Sequence, residues 1–169
     1  MFEKVLIANR GEIALRVVRA LQELGVASLA VYAKDDAAAA HVAAADEAVA
    51  LDASGPSAYL DGARLLQIAQ RHGCDALHPG YGFLSESADF AKACAAAGVR
   101  FIGPTPEQLA LLGDKARARA LAQQSGVPLM PGSLKAVTLA QAQDFFATQK
   151  AGGATGIMIK AIGGGGGRG

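Results

Sequence analysis

A lysine followed closely by a run of glycines is the part of this sequence that most clearly indicates chemistry. The apolar residues 157–159 precede Lys160, and two further residues lead into five glycines at 163–167. Glycine has no Cβ, so the backbone N–H groups of such a run can close around phosphate oxygens, while a lysine ammonium neutralises part of the phosphate charge. The stretch therefore predicts a short buried strand that delivers a lysine into a phosphate-binding loop.

Other interpretations of this glycine run stay open on these residues alone. A run of glycines is also typical of a flexible linker. A P-loop is excluded because no Gly-Lys-Ser/Thr follows the glycines, and a dinucleotide site would need G-x-G-x-x-G after the first strand, where the chain offers only Gly11. The predicted elements that precede the glycines must therefore decide between a phosphate-binding loop and a flexible linker.

Composition limits the class of ligand. The 169 residues are enough for one domain, or for one domain and part of another. Sixteen basic and 15 acidic residues give a net charge of +1 and no polybasic tract, so neither nucleic acid nor a membrane is expected as a partner. The histidines and cysteines lack metal-ligand spacing, and the amino terminus lacks a signal peptide. We expect a cytoplasmic protein with a small ligand.

Alternating strand and helix patterns predict an α/β fold. Residues 4–8 are typical of a buried strand, and residues Ile13, Val17, Leu21 and Leu24 recur at helical spacing after it. Three predicted helices separate further strands near 29–32, 48–51, 76–78 and 99–102. They are an alanine-rich helix through Val42, a helix over 58–71 capped by Ser57, and a helix over 86–97. This order predicts an open, mainly parallel sheet with helices on both faces.

Loops at the carboxyl ends of such strands are the usual ligand sites, so Asn9 and residues 79–85 are candidates. Asp35 after the second strand could contact a ribose or be a solvated loop acid.

On the first helix, Arg16, Arg19 and Glu23 form a second row, which is either a solvated surface or a contact for another subunit.

Further along the chain, helix-start signals mark a second region. The pair Thr105 and Gln108 and the pair Thr138 and Gln141 both fit a capping box, and Asp114 can cap a helix between them.

Taken together and in this order, five motifs closely resemble the amino-terminal part of biotin carboxylase, the ATP-grasp component of the biotin-dependent carboxylases. They are Ile-Ala-Asn-Arg-Gly-Glu-Ile-Ala-Leu-Arg at 7–16, His-Pro-Gly-Tyr-Gly-Phe-Leu-Ser-Glu at 78–86, Phe-Ile-Gly-Pro at 101–104, Gly-Asp-Lys at 113–115, and the loop at 160–169. The resemblance covers the whole chain.

The resemblance implies a Rossmann-like pre-ATP-grasp domain over residues 1–113 and the incomplete start of an ATP-grasp domain over 114–169. It also implies a carbon–nitrogen ligase in which ATP and bicarbonate give carboxyphosphate and biotin receives the carbon dioxide. By the same resemblance Lys115, Lys160, Gly166 and Gly167 bind ATP, and the row with Arg19 and Glu23 contacts the second subunit of a homodimer.

In such a family the Mg²⁺ ligands and the catalytic residues are expected beyond Gly169, so the 169-residue chain alone is expected to be inactive. The implied partners are a biotin carboxyl carrier domain and a carboxyltransferase. Two alternatives stay open: another ATP-grasp ligase, such as a carbamoyl-phosphate synthase large chain, and a non-catalytic dimerising module. The sequence contains no site for the final carboxyl acceptor.

Overall fold

The protein divides into two compact units, Met1–Leu109 and Ala110–Gly169, in a computed structural model that describes residues 1–133 and 135–160. The first unit contains five strands and four complete helices. In chain order they are β1 (Lys4–Ile7), α1 (Gly11–Glu23), β2 (Ala27–Tyr32), α2 (Ala40–Ala44), β3 (Glu47–Ala50), α3 (Gly62–Arg71), β4 (Ala76–His78), α4 (Ala88–Ala96) and β5 (Arg100–Phe101).

The five strands form one parallel sheet in the order β3-β2-β1-β4-β5. The register places Leu6 of the central strand opposite Leu29 on one side and Leu77 on the other. Parallel strands need helical crossovers, which is what the alternating sequence pattern supplies. The prediction of an open, parallel α/β sheet is confirmed.

Helices cover both faces of this sheet because successive strand residues point to opposite sides. On one face Val5 and Ile7 pack with α1 through a buried cluster. On the other face Leu6 packs in a larger cluster with α3 and α4. The α1 residues buried in the first cluster are Ala14, Val17, Val18 and Leu21. A central strand buried on both faces explains its continuous apolar sequence.

Two details of the predicted helices are wrong. The predicted cap Ser57 lies in a short 3₁₀ helix, Pro56–Leu60, and α3 begins later because the Asp61 carboxylate accepts a hydrogen bond from the Arg64 N–H. Leu24 was expected to face the core, but it is 65% exposed because α1 ends at Glu23 and the chain turns away.

The second unit contains helices only, among residues 110–133 and 135–160. They are the end of α5 (Pro106–Gly113), which spans the division between the units, then α6 (Lys115–Gln124) and α7 (Leu139–Ala151). Asp114 caps α6 by accepting from the N–H groups of Ala116 and Arg117. The predicted capping box of Thr138 and Gln141 is confirmed, with both reciprocal hydrogen bonds present.

The buried strand predicted at residues 157–159 is absent. These residues are irregular, and Met158 and Ile159 are 80% and 72% exposed. The physical reason is that a strand needs a neighbouring strand for its backbone hydrogen bonds, and the described residues of this unit offer none. None of those residues is buried, so this part of the unit also lacks an apolar layer to cover the strand.

Candidate functional site

The candidate site lies at the carboxyl ends of β1 and β4. From β1 the chain adds β2 and β3 on one side of the sheet, then returns to add β4 and β5 on the other. The carboxyl ends of the two strands that flank such a reversal form the usual ligand crevice of open α/β sheets. Here Asn9, which follows β1, and residues 79–85, which follow β4, occupy this crevice. Residues 79–85 are called the 79–85 loop.

Asn9 joins the two strand ends. Its side-chain Nδ2 donates to the carbonyl oxygens of Pro79 at 2.7 Å and of Tyr81 at 2.9 Å, and its Oδ1 accepts from the Arg10 N–H at 2.9 Å. The residue is only 2% exposed. Because every polar atom of this buried amide has a partner, the amide holds the 79–85 loop in one position.

The backbone of the 79–85 loop has positive φ angles at Gly80, Gly82 and Phe83. Gly80 has φ +65°, and a Cβ added there would lie 2.6 Å from Nδ2 of Asn9. Phe83 adopts φ +43°, which is unusual for a residue with a side chain, and its ring stacks on Tyr59 with the centroids 5.3 Å apart. Such conformations persist only where neighbouring contacts enforce them.

Two side chains at the loop's edges add further anchors. Nδ1 of His78 accepts from the Gly80 N–H at 2.9 Å, which requires the tautomer protonated on Nε2, and burial lowers the pKa of His78. Tyr81 is 62% exposed, but its hydroxyl donates to Glu12 Oε1 at 3.2 Å. The loop therefore presents an aromatic ring to solvent from a fixed backbone.

A charged cluster lies beside Asn9. The guanidinium of Arg10 makes a two-point contact with Asp36, in which Nε lies 2.6 Å from Oδ2 and Nη2 contacts Oδ1. Tyr59, which is fully buried, donates its hydroxyl to Asp36 Oδ2 at 2.7 Å and accepts from the Ala33 N–H at 3.0 Å. The hydrogen bonds from Arg10 lower the pKa of Asp36, while burial raises that of Tyr59. Asp36 is therefore an anion at neutral pH.

His41 lies near this cluster and is 1% exposed. Neither ring nitrogen has a hydrogen-bond partner among the described residues. Burial is the main cause that lowers the pKa of His41. The imidazole is therefore neutral at pH 7.

The first unit and its two loops are similar to a known protein family. Residues 1–109 match the family described as biotin carboxylase, N-terminal domain. The chain belongs to this biotin carboxylase family. The match covers the five-stranded unit and both loops of the candidate site.

Relatives extend the similarity over almost the entire chain. It is 47% identical over 174 aligned positions to biotin carboxylase of Nostoc sp., covering 99% of this chain and 37% of that protein. Mitochondrial pyruvate carboxylase of Rattus norvegicus is 48% identical over 99% of this chain and 14% of the relative. The chain thus spans well under half the length of these relatives.

A solved structure gives the same picture in three dimensions. The biotin carboxylase domain dimer of Hydrogenobacter thermophilus 2-oxoglutarate carboxylase, in complex with MgADP, ADP and bicarbonate, superposes with a TM-score of 0.90. The two chains are 42% identical, with 99% of this chain and 36% of that chain covered.

The predicted ATP-binding residues fall in the second unit. Lys115 is the first residue of α6, directly after its cap, and is exposed. Lys160 is exposed at the end of the irregular segment 152–160. Gly166 and Gly167 lie outside the described residues. The assignment of all four to ATP therefore stays a prediction.

The predicted subunit-contact residues of this biotin carboxylase chain are Arg19 and Glu23. Both are exposed on α1, opposite the side that packs on the sheet, and their spacing places them on one row.

Among residues 1–133 and 135–160, no group of three or more His, Cys, Asp or Glu side chains could hold a metal ion. In the same part of the chain, no helix has the length and apolar character to cross a membrane.

Sequence reasoning found the two loops but missed the cluster beside them. Asp36 and Tyr59 are 23 residues apart, and only the fold brings the tyrosine hydroxyl to the carboxylate. Asp35, considered for a ribose contact, is an exposed acid in the short 3₁₀ helix Lys34–Asp36, and its Oδ1 accepts from the Gly55 N–H at 2.8 Å. The pair Asp35-Asp36 is visible in the sequence, but periodicity cannot tell which of the two carboxylates points inward.

Proposed function

We propose that this chain is the amino-terminal part of a biotin carboxylase that uses ATP and bicarbonate to carboxylate biotin. Carboxyphosphate forms first, and the carbon dioxide released from it is captured at a biotin ring nitrogen. The observation that carries the proposal is the 47% identity to a biotin carboxylase over 99% of this chain. The family match over residues 1–109 favours it over a carbamoyl-phosphate synthase large chain or a non-catalytic dimerising module.

The proposal is confined to the carboxylation of biotin. Relatives whose names refer to pyruvate and to 2-oxoglutarate match the chain with similar identity. We propose that a biotin carboxyl carrier domain and a carboxyltransferase complete the reaction, on the same polypeptide or on separate ones.

Nucleotide contacts are assigned to the second unit in this proposal. Lys115 and Lys160 supply ammonium groups for the phosphates, and Gly166 and Gly167 supply backbone N–H groups. The exposure of both lysines is compatible with a ligand reaching them. We propose that Mg²⁺ is held by carboxylates outside residues 1–133 and 135–160, because those residues offer no ligand group for it.

Domain organisation and assembly complete the proposal. We place a pre-ATP-grasp domain at 1–113 and the start of an ATP-grasp domain at 114–169, supported by the division of the structure between Leu109 and Ala110. A homodimer contact through Arg19 and Glu23 is supported by their exposure on α1 and by the dimeric Hydrogenobacter relative. The proposed compartment is the cytoplasm.

Lysine substitutions in the full-length enzyme test the nucleotide site. Lys160→Ala should weaken ATP binding by more than about tenfold, because a charge-assisted phosphate contact is lost. Lys115→Ala should act in the same direction. Lys150→Ala, which removes another exposed lysine at the end of α7, is the matched control and should leave affinity within about twofold. Isothermal titration with ATP measures all three dissociation constants.

Wild-type affinity in the Lys160→Ala enzyme would contradict its role. Absence of bicarbonate-dependent ADP release from the wild-type full-length enzyme would contradict the proposed activity as a whole.

A further inference from the structure

An arginine of α6 contacts the segment that follows this helix. The segment, residues 127–132, is called the connector. Nη2 of Arg119 donates to the carbonyl oxygen of Met130. A Cβ added at Gly132 would lie 3.0 Å from Cζ and 3.2 Å from each Nη of Arg119, so the guanidinium lies directly against the connector backbone. Its Nε is shielded from solvent, with no hydrogen-bond partner among the described residues. The guanidinium is therefore packed in place and does not extend into solvent.

The connector has little else to hold it. Its side chains Val127 and Met130 are 52% and 82% exposed, so apolar packing contributes little. Within the described part of the chain, the connector after Val127 makes no hydrogen bond besides the one from Arg119. Pro128 and Pro131 fix φ at two positions and favour extended backbone before each, which makes the connector stiff. One hydrogen bond near its end therefore sets its direction relative to α6.

The connector joins the two sets of residues that the proposed function assigns to ATP. Lys115 precedes it on α6, four residues before Arg119, and residues four apart are neighbours on a helix surface. Lys160, Gly166 and Gly167 follow it in the chain. A nucleotide bound by both sets is reached from both sides of the connector. The direction of the connector therefore affects whether the two sets can meet the same phosphates.

We propose that Arg119 is a positioning residue for ATP: its hydrogen bond to the Met130 carbonyl holds the connector in the arrangement in which Lys115 and the contacts after the connector reach one nucleotide. The inference rests on the proposed function and adds to it. Arg119 touches no substrate in this role. When only a fraction of the molecules has the binding-competent arrangement, the apparent dissociation constant rises by the inverse of that fraction. Loss of the hydrogen bond therefore weakens ATP binding.

Substitution of Arg119 in the full-length enzyme tests this role. Arg119→Met keeps an unbranched side chain suited to a helix but removes the donor, and it should raise the dissociation constant for ATP about fivefold. The kcat of bicarbonate-dependent ADP release at saturating ATP should stay within about twofold, because bound nucleotide selects the competent arrangement. A merely destabilised enzyme would lose kcat as well. Isothermal titration and the ADP-release assay measure the two quantities.

Two further variants separate the hydrogen bond from the positive charge. Gly132→Val keeps the charge of Arg119 but places a side chain where the guanidinium lies, so it should raise the dissociation constant about threefold or more. Arg117→Met is the matched control on the same helix. The Arg117 guanidinium donates to the Ala110 carbonyl at 3.1 Å and not to the connector, so its loss should leave the dissociation constant within about twofold.

A Lys115→Ala background tests whether Arg119 acts through the lysine. No ammonium group then remains at the start of α6 to be aligned with the contacts after the connector. Adding Arg119→Met to Lys115→Ala should therefore change the dissociation constant by less than about twofold, as expected for two residues that act together.

Wild-type ATP affinity in Arg119→Met would overturn the inference and leave the proposed function standing. The same conclusion would follow from an Arg117→Met effect as large as that of Arg119→Met, from wild-type affinity in Gly132→Val, or from an undiminished Arg119→Met effect in the Lys115→Ala background. Wild-type affinity in Lys115→Ala alone would instead contradict the proposed nucleotide site. A wild-type enzyme without bicarbonate-dependent ADP release would refute the proposed function, so the failures are distinguishable.

Discussion

Replacing Tyr59 by phenylalanine tests whether the buried Tyr59 hydroxyl, which donates to Asp36 of the Arg10–Asp36 ion pair, stabilises the first unit. The hydroxyl of Tyr59 makes two hydrogen bonds, one donated to Asp36 and one accepted from the buried Ala33 N–H. The ring itself stacks on Phe83 and fills the core, and phenylalanine keeps both contacts. The substitution therefore removes polar interactions with little change in packing.

The expected cost follows from the two lost partners. A hydrogen bond to a charged acceptor contributes about 1.5–3 kcal/mol, and a buried N–H left without a partner costs about 1–3 kcal/mol. Because the two effects share one atom and do not add fully, we expect Tyr59→Phe to lower the free energy of unfolding by about 2–4 kcal/mol. With a urea m-value of about 2 kcal/mol/M, the unfolding midpoint should fall by about 1–2 M.

Urea unfolding followed by far-ultraviolet circular dichroism measures this midpoint. Tyr81→Phe is the matched control, because it removes the hydroxyl of an exposed tyrosine and should shift the midpoint by less than about 0.3 M. A Tyr59→Phe midpoint within about 0.3 M of the wild type would show that the Tyr59 hydroxyl contributes nothing to folding and would refute this reasoning.

Two further predictions concern the same unit. Burial lowers the folded-state pKa of His41 and His78 below the ordinary value of 6.5. The folded state therefore binds fewer protons than the unfolded state, and the free energy of unfolding should fall as pH drops below 6.5 toward the folded pKa values. Urea midpoints at pH 7.5 and 5.5 check this; His41→Leu should reduce the decline, and a higher wild-type midpoint at pH 5.5 would contradict it. Leu65→Ala in the core should cost about 2–5 kcal/mol, whereas Leu60→Ala, at an exposed position, should cost less than about 1 kcal/mol in the same urea assay. Equal costs would count against the assigned core.

The sequence by itself determined the local elements and their class. Continuous apolar runs at β1 and β2, helical spacing in α1, and capping pairs such as Thr138 with Gln141 are short-range signals, and the structure contains the elements that they predict. The alternation of these elements was enough for a parallel sheet, because parallel strands leave few other topologies. The same residues also placed candidate loops at Asn9 and 79–85.

Only the tertiary structure decided which of these residues meet. The Asn9 amide reaches carbonyls about 70 positions away, and Tyr59 reaches Asp36 across 23, because sheet register and helix packing set these distances. Residues 157–159 show that a local pattern can also fail to form its predicted element. Its apolar residues have the composition of a strand, but a strand forms only where another strand takes its backbone hydrogen bonds, and residues 110–133 and 135–160 provide none. Local pattern specifies what a segment can become; its neighbours in space decide whether it does.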